Sequence, residues 1–219
     1  ESSTHPIKKY PYNTPTYEIE DGITAIDTPD GMMPLEIFGD HNLQNLAGAK
    51  WICQHMGIDE DDFYEAIASF KGASKRLEKI AENSQTVIFK DFAHSPSKVR
   101  ATTEAVKKQY ENREVIACLE LHTYSSLNAE FLSEYQGALD QADKAVVFYS
   151  PHAVKIKQLD EVTTAQIGAA FGREDLIIFT NPSEFKAFLF GQNLEQTAVI
   201  LMSSGNYGGL GFEEVKGLV

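Results

Sequence analysis

The chain has 219 residues, of which 42% are hydrophobic and 23% charged, values that are typical of globular proteins. Its 19 Lys and Arg against 32 Asp and Glu give a formal net charge of -13 with no basic run, which disfavours nucleic acid as a partner. No stretch approaches the ~20 apolar residues of a membrane span, and residues 1–6 lack the features of a signal peptide, so no membrane partner is expected.

The amino-terminal part contains short alternating runs, Thr16–Ile19 and Ile23–Ile26, separated by proline and glycine. These runs predict two or three short antiparallel strands. From Asn42 to His55 the apolar residues recur at helical spacing, which predicts a helix. A second helix is predicted to begin after Asp59, a favoured capping residue, and to end at Lys71-Gly72.

Beyond residue 80 the pattern changes to continuous apolar runs that alternate with amphipathic helical patterns. This alternation is typical of a parallel sheet that is buried on both faces, and right-handed crossovers make such a sheet doubly wound. The predicted strands are Thr86–Phe89, Val115–Leu121, Ala145–Tyr149, Leu176–Thr180 and Ala198–Met202, and the predicted helices lie near residues 97–111, 126–140, 160–171 and 182–190. The predicted fold class is therefore α/β, with a Rossmann-like, mostly parallel sheet in residues 80–219 that follows short strands and two helices in residues 1–79.

In such sheets, ligands bind beyond the carboxyl ends of the strands. The loops at these ends are Asp91–Pro96, His122–Ser126, Ser150–His152, Asn181-Pro182 and Ser203–Gly209. Asp91 and His94 directly follow a predicted strand, and a carboxylate with a histidine at such a position is more often functional than structural. Ser95 can cap the next helix, with Pro96 in its first turn. Backbone N–H groups of the Ser203–Gly209 loop could face an anion such as a carboxylate or phosphate, and a Gly-rich turn is the alternative.

Two amides and a guanidinium are candidates for contact with a nucleotide. Asn42 and Asn45 lie three residues apart in the first turn of a predicted helix, where helix capping is the alternative interpretation. Arg76 lies in a basic cluster between the two parts and could clamp a phosphate or ribose, or belong to a solvated linker. His122 and His152, taken singly, fit structural or surface roles, and neither has the spacing of a metal ligand, so no metal site is expected.

The cysteines and one absent motif bear on the redox compartment and on ATP binding. Cys53 and Cys118 lie in apolar segments without metal-type spacing, which indicates buried thiols in a reducing compartment. The sequence contains no Gly-x-x-x-x-Gly-Lys-Ser/Thr loop, which commonly holds the phosphates of ATP. If the protein uses ATP, the triphosphate cradle is expected to lie outside these 219 residues.

Three motifs follow one another along the chain. They are His41-Asn42-Leu43-Gln44-Asn45, then Phe70-Lys71-Gly72 with Arg76, and then Asp91-Phe92-Ala93-His94-Ser95-Pro96. In type and order they resemble motifs of the Mur ligases, namely the HNxxN helix and FxG segment that close the family's central ATP-binding domain and the loop that opens its third domain. The resemblance covers essentially the whole chain, and it implies that residues 1–79 end the central domain and that residues 80–219 form the carboxy-terminal domain.

The resemblance implies a bacterial, cytoplasmic, ATP- and Mg²⁺-dependent ligase of peptidoglycan synthesis or recycling that uses UDP-N-acetylmuramate and an amino acid or peptide. It implies that Asn42, Asn45, Arg76 and Asp91 contact ATP. The residues that it places near the substrate are Phe92, His94, Ser95, His122, Tyr124, Ser204, Gly205 and Asn206. In the family, the phosphate loop and metal ligands precede the matched region, and this chain does not begin with Met. The 219 residues are therefore expected to be a folded but catalytically incomplete part, with closure about a linker at residues 76–81.

Within the family, the Asp91–Pro96 and Met202–Leu210 segments look more like the murein peptide ligase branch, which joins L-Ala-γ-D-Glu-meso-diaminopimelate to UDP-N-acetylmuramate. The branch that adds L-alanine is the alternative. That branch typically has Pro-His-Arg-Tyr and a further Arg where this chain has Leu121–Tyr124 and Ser126, and a second His where it has Ser95. The missing arginines argue against L-alanine. Outside the family, a non-catalytic Rossmann-like ligand-binding module would explain the sheet but not the ordered motifs, and the oligomeric state is not indicated.

Overall fold

The chain divides into two units between Lys71 and Gly72 in the computed structural model, which describes residues 8–160 and 162–219. The predicted first part, residues 1–79, includes residues 1–7, which lie outside the described residues. The two units are built on separate sheets and have separate cores.

A small antiparallel sheet begins the first unit. Among its described residues, three strands pair in the order β1 (Tyr17–Glu20), β2 (Ile23–Thr28) and β3 (Gly31–Leu35), which confirms the predicted strands. Asp21 and Gly22 join the first two strands with φ angles of 49° and 74°. Positive φ at both central residues is the geometry of a type I′ turn, whose twist matches that of the strands it connects.

The two predicted helices follow this sheet as α1 (Asp40–His55) and α2 (Glu60–Ala68). Leu43 and Leu46 of α1 pack with residues of the sheet and of α2 in one apolar core, which is formed by Ile26, Leu35, Ile37, Leu43, Leu46 and Phe63. The side chain of Asp59 accepts the backbone N–H of Asp62 at 2.9 Å, which confirms Asp59 as the cap of α2. The cap residue of α1 is Gly39, so the alternative in which Asn42 caps this helix is wrong.

A mostly parallel sheet forms the centre of the second unit, as predicted. Among the described residues it has six strands in the order β4-β5-β9-β6-β7-β8, and only β4 is antiparallel to its neighbour. These strands are β4 (Glu78–Glu82), β5 (Thr86–Asp91), β6 (Glu114–Leu121), β7 (Lys144–Tyr149), β8 (Ile177–Phe179) and β9 (Thr197–Met202). The five parallel strands are those that the apolar runs predicted.

The sequence predicted a linker at residues 76–81. This prediction is wrong from Glu78 onward, because the residues from Glu78 to Glu82 form β4. This strand pairs with β5, with a register shift between Lys79 and Ala81. Its charged side chains are typical of a sheet edge and give no apolar run, which is why the sequence did not reveal it. The boundary proposed between residues 79 and 80 falls inside this strand, whereas the two units divide after Lys71.

Helices cover both sides of the sheet. Those that connect its strands are α3 (Pro96–Gln109), α4 (Ala129–Leu132), α5 (Pro151–Ile156), α6 (Thr164–Phe171) and α7 (Pro182–Phe190), and α8 (Phe212–Lys216) follows the last strand. The long helix predicted near residues 126–140 is wrong, because α4 continues only into a 3-10 turn at Ser133–Tyr135. The short helices α5 and α8 were not predicted. None of the helices among residues 8–160 and 162–219 has the length and apolar character needed to cross a membrane.

Neighbouring residues of β5 show why its sequence is apolar without alternation. Ile88 belongs to a core cluster that includes Phe185 and Leu189 of α7. The next residue, Phe89, points to the opposite face, where its ring lies 5.8 Å from that of Tyr110 at the end of α3. Both faces of this strand are therefore covered by helical segments, which makes the sheet doubly wound.

Candidate functional site

Three of the predicted loops lie side by side because their strands are neighbours in the sheet. The parallel strands β5, β9 and β6 are adjacent, and Met202 at the end of β9 pairs with Asp91 on one side and Leu119 on the other. The backbone N–H of Ser203 donates to the carbonyl of Asp91 at 2.9 Å, and its hydroxyl donates to the carboxylate of Glu120. Ser203 thus links all three strand ends at the carboxyl edge, where α/β sheets bind ligands.

Asp91 lies at the end of β5 and is only 6% exposed. Its carboxylate accepts two backbone N–H groups, those of Leu77 and Ala93. The N–H of the next residue, Phe92, donates to the carbonyl of Lys75 at 2.9 Å. These bonds fasten the segment 75–77 to the end of β5, so Asp91 has a structural role beside its predicted contact with ATP.

Arg76 lies in the middle of this fastened segment. Its two neighbours, Lys75 and Leu77, have left-handed φ angles of 58° and 47°, so the backbone turns sharply on both sides of it. The Arg76 side chain is exposed, and its guanidinium makes no ion pair with a described residue. The backbone at Arg76 is therefore held in place while its charge is available to a ligand, although its contact with ATP stays a prediction.

Asn42 and Asn45 belong to the first unit, on one face of the first turns of α1. The amide nitrogen of Asn42 donates to the carbonyl of Phe38 at 2.9 Å, which fixes the orientation of its side chain. Asn45 is exposed. Their contact with a nucleotide also stays a prediction.

The Asp91–Pro96 loop orients the ring of His94. Its Nδ1 lies 2.8 Å from the carbonyl oxygen of Phe92, and a carbonyl can only accept, so Nδ1 is the donor in this hydrogen bond. The rings of Phe92 and His94 meet edge to face at 5.1 Å. Ser95 occupies the N-cap position of α3, and Pro96 its first turn, as predicted, but the Ser95 side chain makes no capping hydrogen bond.

In the Ser203–Gly209 loop, whose sequence suggested an anion cradle, four N–H groups are already bonded within the protein. Ser203 donates to the Asp91 carbonyl at 2.9 Å, Gly205 to the Ser203 hydroxyl at 2.7 Å, Tyr207 to Glu120 at 2.9 Å and Gly209 to the Asn206 carbonyl at 3.0 Å. These bonds join the loop to itself, to β5 and to β6, where Glu120 supplies a buried acceptor that the sequence pattern did not reveal. Contact of the remaining N–H groups with an anion stays a prediction. The hydroxyl oxygen of Ser204 is buried and has no hydrogen-bond partner among the described residues.

Tyr207 fastens this loop to the strands β6 and β9. Its hydroxyl oxygen lies 2.7 Å from the carbonyl oxygen of Cys118 in β6 and 2.9 Å from that of Met202 in β9, and its single hydrogen is shared between these two acceptors. Burial, and then the proximity of Cys118 and Glu120, raise the pKa of the Tyr207 hydroxyl well above its usual value. The hydroxyl therefore remains a neutral donor, and the loop is held to the two strands that carry it.

Glu120 is the functional candidate that the sequence analysis missed. It lies one residue before the end of β6 and its side chain is 3% exposed. His122 follows in the loop, with 40% of its side chain exposed and Nδ1 3.6 Å from a Glu120 carboxylate oxygen. The available signal was a single acidic residue inside the apolar run Val115–Leu121, which interrupts a strand that is otherwise apolar to its end.

Tyr124 marks the outer part of the same loop. Its side chain is largely exposed, and Lys157, beyond α5, places its ammonium group 4.5 Å from the centre of the ring. Lys157 was not among the predicted site residues. It is a cation near a loop whose own residues 123–126 carry no charge.

The described residues do not fit a metal site. Within residues 8–160 and 162–219, no group of three or more His, Cys, Asp or Glu side chains could hold a metal ion. The Mg²⁺ that the resemblance implies therefore has no ligand set in this part of the chain, just as the sequence has no loop of the type that cradles ATP phosphates.

Comparison with known proteins gives a consistent result. Residues 75–205 match the family described as Mur ligase, glutamate ligase domain. The UDP-N-acetylmuramate–L-alanine ligase of Gloeothece citriformis is 32% identical over 158 residues, which are 70% of this chain and 31% of that protein. The chain thus spans less than a third of the length of that curated relative.

Solved structures are similar in fold. The UDP-N-acetylmuramate–alanine ligase of Thermotoga maritima has a TM-score of 0.68 at 16% identity, covering 92% of this chain and 44% of that one. A murein peptide ligase of Psychrobacter arcticus has a TM-score of 0.58 at 18% identity, covering 90% and 41%. At such identities, the likeness concerns the fold alone.

Proposed function

Since this chain belongs to the Mur ligase family, we propose that it is part of a cytoplasmic, ATP-dependent ligase that joins an amine substrate to UDP-N-acetylmuramate in peptidoglycan synthesis or recycling. The observation that carries this proposal is the joining of the loops after β5, β9 and β6 by Ser203, whose bonds to Asp91 and Glu120 all lie within the matched residues 75–205. The function of the whole protein is inferred from family membership together with these loops.

The proposal divides the work between two groups of residues. Asn42, Asn45, Arg76 and Asp91 serve ATP, and the loops that contain His94, His122 and Ser204–Asn206 serve the amine substrate. When bound, ATP and Mg²⁺ would supply the activation of the carboxylate. Their phosphate cradle and metal ligands are proposed to lie outside the 219 residues. The two proposed domains, the end of a central domain and a carboxy-terminal domain, correspond to the units that divide after Lys71.

The tripeptide L-Ala-γ-D-Glu-meso-diaminopimelate is the amine substrate that we favour. A free amino acid carries a carboxylate next to its amine, and proteins often bind such a group with arginine. Residues 123–126 of the loop after His122 are uncharged. In the tripeptide, the carboxyl group of the alanine is already part of an amide, so no cation is required beside the reacting amine.

L-Alanine is the second candidate, and two observations favour it. The Gloeothece citriformis relative is named a UDP-N-acetylmuramate–L-alanine ligase. In addition, Lys157 lies over the ring of Tyr124 and could meet the carboxylate of a small amino acid. Under this alternative, Lys157 would replace the arginines that are missing from the loop.

Mass spectrometry of the reaction product tests the reaction class. The intact protein from the source gene would be incubated with ATP, Mg²⁺, UDP-N-acetylmuramate and a mixture of the two amines, and parallel samples would lack ATP or UDP-N-acetylmuramate. The proposal predicts a new UDP-linked amide together with ADP and phosphate, formed only in the complete mixture. Release of phosphate without any amide product, or no reaction at all, would contradict it.

A further inference from the structure

The buried carboxylate of Glu120 requires an explanation, because burying such a group without hydrogen bonds is costly. Its side chain is 3% exposed at the end of a strand whose other inward residues are apolar. The partners of Glu120 show what the carboxylate does.

One carboxylate oxygen fixes the loop that follows β9. It accepts the hydroxyl of Ser203 and the backbone N–H of Tyr207, the latter at 2.9 Å. The Ser203 oxygen in turn accepts the N–H of Gly205 at 2.7 Å. These three bonds bring Gly205 to a defined position beside β6.

The other carboxylate oxygen faces His122. Its distance to Nδ1 is 3.6 Å, within ion-pair range but longer than a hydrogen bond, and such contacts often tighten only when a substrate is bound. Gly205 lies against both groups, since a Cβ atom there would lie 3.0 Å from His122 Cγ and Nδ1 and 2.8 Å from Glu120 Oε2. The Nδ1 edge of the imidazole is therefore packed against a carboxylate and a glycine backbone.

We propose that Glu120 is a positioning residue that holds His122 in its Nδ1-protonated form, so that Nε2 accepts a hydrogen bond from the amine of the incoming substrate. Because the two nitrogens lie on opposite sides of the ring, a Nδ1 that faces Glu120 leaves Nε2 directed away from the buried carboxylate. With 40% of its side chain exposed, His122 can reach a ligand at the carboxyl edge of the sheet. This inference rests on the proposed function for the identity of the ligand, but not for the state of the imidazole.

Nitrogen NMR of the histidine-labelled protein tests the position of the proton without any enzymatic reaction. The His122 signal would be identified by its loss in His122→Asn. We expect the Nδ1-protonated tautomer in the wild type and a shift toward Nε2 protonation in Glu120→Gln. An Nε2-protonated His122 in the wild type would overturn the proposal even if the protein is an active ligase. So would a His122 tautomer that is the same in Glu120→Gln as in the wild type.

Steady-state kinetics test the contact with the amine. Glu120→Gln is expected to raise KM for the amine at least fivefold while KM for ATP and for UDP-N-acetylmuramate stays within twofold. Gly205→Ala keeps the Glu120 carboxylate in the chain but places a Cβ atom against both Glu120 and His122, so it is expected to do the same and covers the case in which Glu120→Gln folds poorly. The control is Glu114→Gln, at the exposed start of the same strand, where the carboxylate pairs with Lys144 at 3.4 Å.

A double variant separates positioning from a general structural effect. If Glu120 acts through His122, Glu120→Gln adds nothing to the KM effect of His122→Asn. Additive effects, or a parallel rise of KM for all three substrates, would show that Glu120 merely supports the fold and would overturn the proposal. If the wild type makes no amide at all, the proposed function fails, and the NMR result still decides whether Glu120 positions His122.

Discussion

The carboxylate of Asp91 accepts the backbone N–H of Leu77, the residue that directly follows Arg76. Together with the bond from Phe92 to the carbonyl of Lys75, it brackets Arg76 between two fixed neighbours. A long cationic side chain loses less entropy on binding a ligand when its backbone is already ordered. Asp91 can therefore influence a nucleotide site through Arg76 as well as by direct contact.

Replacing Asp91 should reduce both stability and activity. Asp91→Ala leaves the buried N–H groups of Leu77 and Ala93 without their acceptor, and we expect a loss of roughly 2–4 kcal/mol in the free energy of unfolding. Amide formation by the intact enzyme should fall more than tenfold while UDP-substrate binding is retained. Urea unfolding and phosphate release would measure the two effects. Asp91→Asn, which keeps one oxygen acceptor, should be less unstable, and unchanged turnover in Asp91→Ala would remove Asp91 from the site.

Arg76 should affect ATP use without affecting stability. Its guanidinium is exposed and has no ion-pair partner among the described residues, so Arg76→Ala should leave the urea midpoint unchanged. If Arg76 contacts ATP as proposed, KM for ATP should rise at least fivefold because a bidentate contact would be lost. Lys98→Ala, which removes another exposed cation of the second unit, is the matched control. An equal rise in KM for ATP in both variants would indicate a general charge effect instead.

Tyr207 should stabilise the fold by joining its loop to β6 and β9. Tyr207→Phe removes both hydroxyl bonds, to Cys118 and Met202, and we expect a loss of about 1–2 kcal/mol in urea unfolding. Because burial raises its pKa, this hydroxyl contributes fully below the unfolded-state pKa of about 10, and its contribution falls as the pH rises further. Above that pH, wild type and variant should converge in stability. A constant difference up to pH 11 would contradict the assignment.

Thiol labelling should distinguish the two cysteines. Cys118 is fully buried in β6, and burial raises the pKa of its thiol to about 12, so it should resist alkylation in the folded protein. Cys53 in α1 is only partly buried and should be labelled more rapidly. Peptide mapping after iodoacetamide treatment at pH 8, with and without urea, would locate the label. Modification of Cys118 before unfolding would show that the core of the sheet is open to reagents.

The parallel sheet could be predicted because its strands are buried on both faces. Their apolar, β-branched runs carry the signal themselves, and Ile88 and Phe89 show that adjacent residues meet separate layers of the core. Elements without such runs were missed. β4 is a charged edge strand, and α5 and α8 are too short for helical periodicity to be visible.

The sequence was sufficient to locate the candidate site, but not to predict the contacts among its residues. Strand ends predict where Asp91, His94 and His122 lie, because all parallel strands end at one edge. Bond partners depend on the order of the strands, and that order places β9 between β5 and β6. Only this arrangement brings Ser203 to both Asp91 and Glu120, so the apolar run around Glu120 could single it out but could not show its partners.

Phosphate release by the intact protein tests the central claim most directly. ATP, Mg²⁺ and UDP-N-acetylmuramate would be held constant, and L-alanine would be compared with L-Ala-γ-D-Glu-meso-diaminopimelate as the amine substrate. The account predicts turnover that depends on the amine, with a kcat/KM for the tripeptide at least tenfold above that for L-alanine. A preference for L-alanine would assign the chain to the other branch of the family. The absence of phosphate release with either amine would contradict the proposed ligase activity.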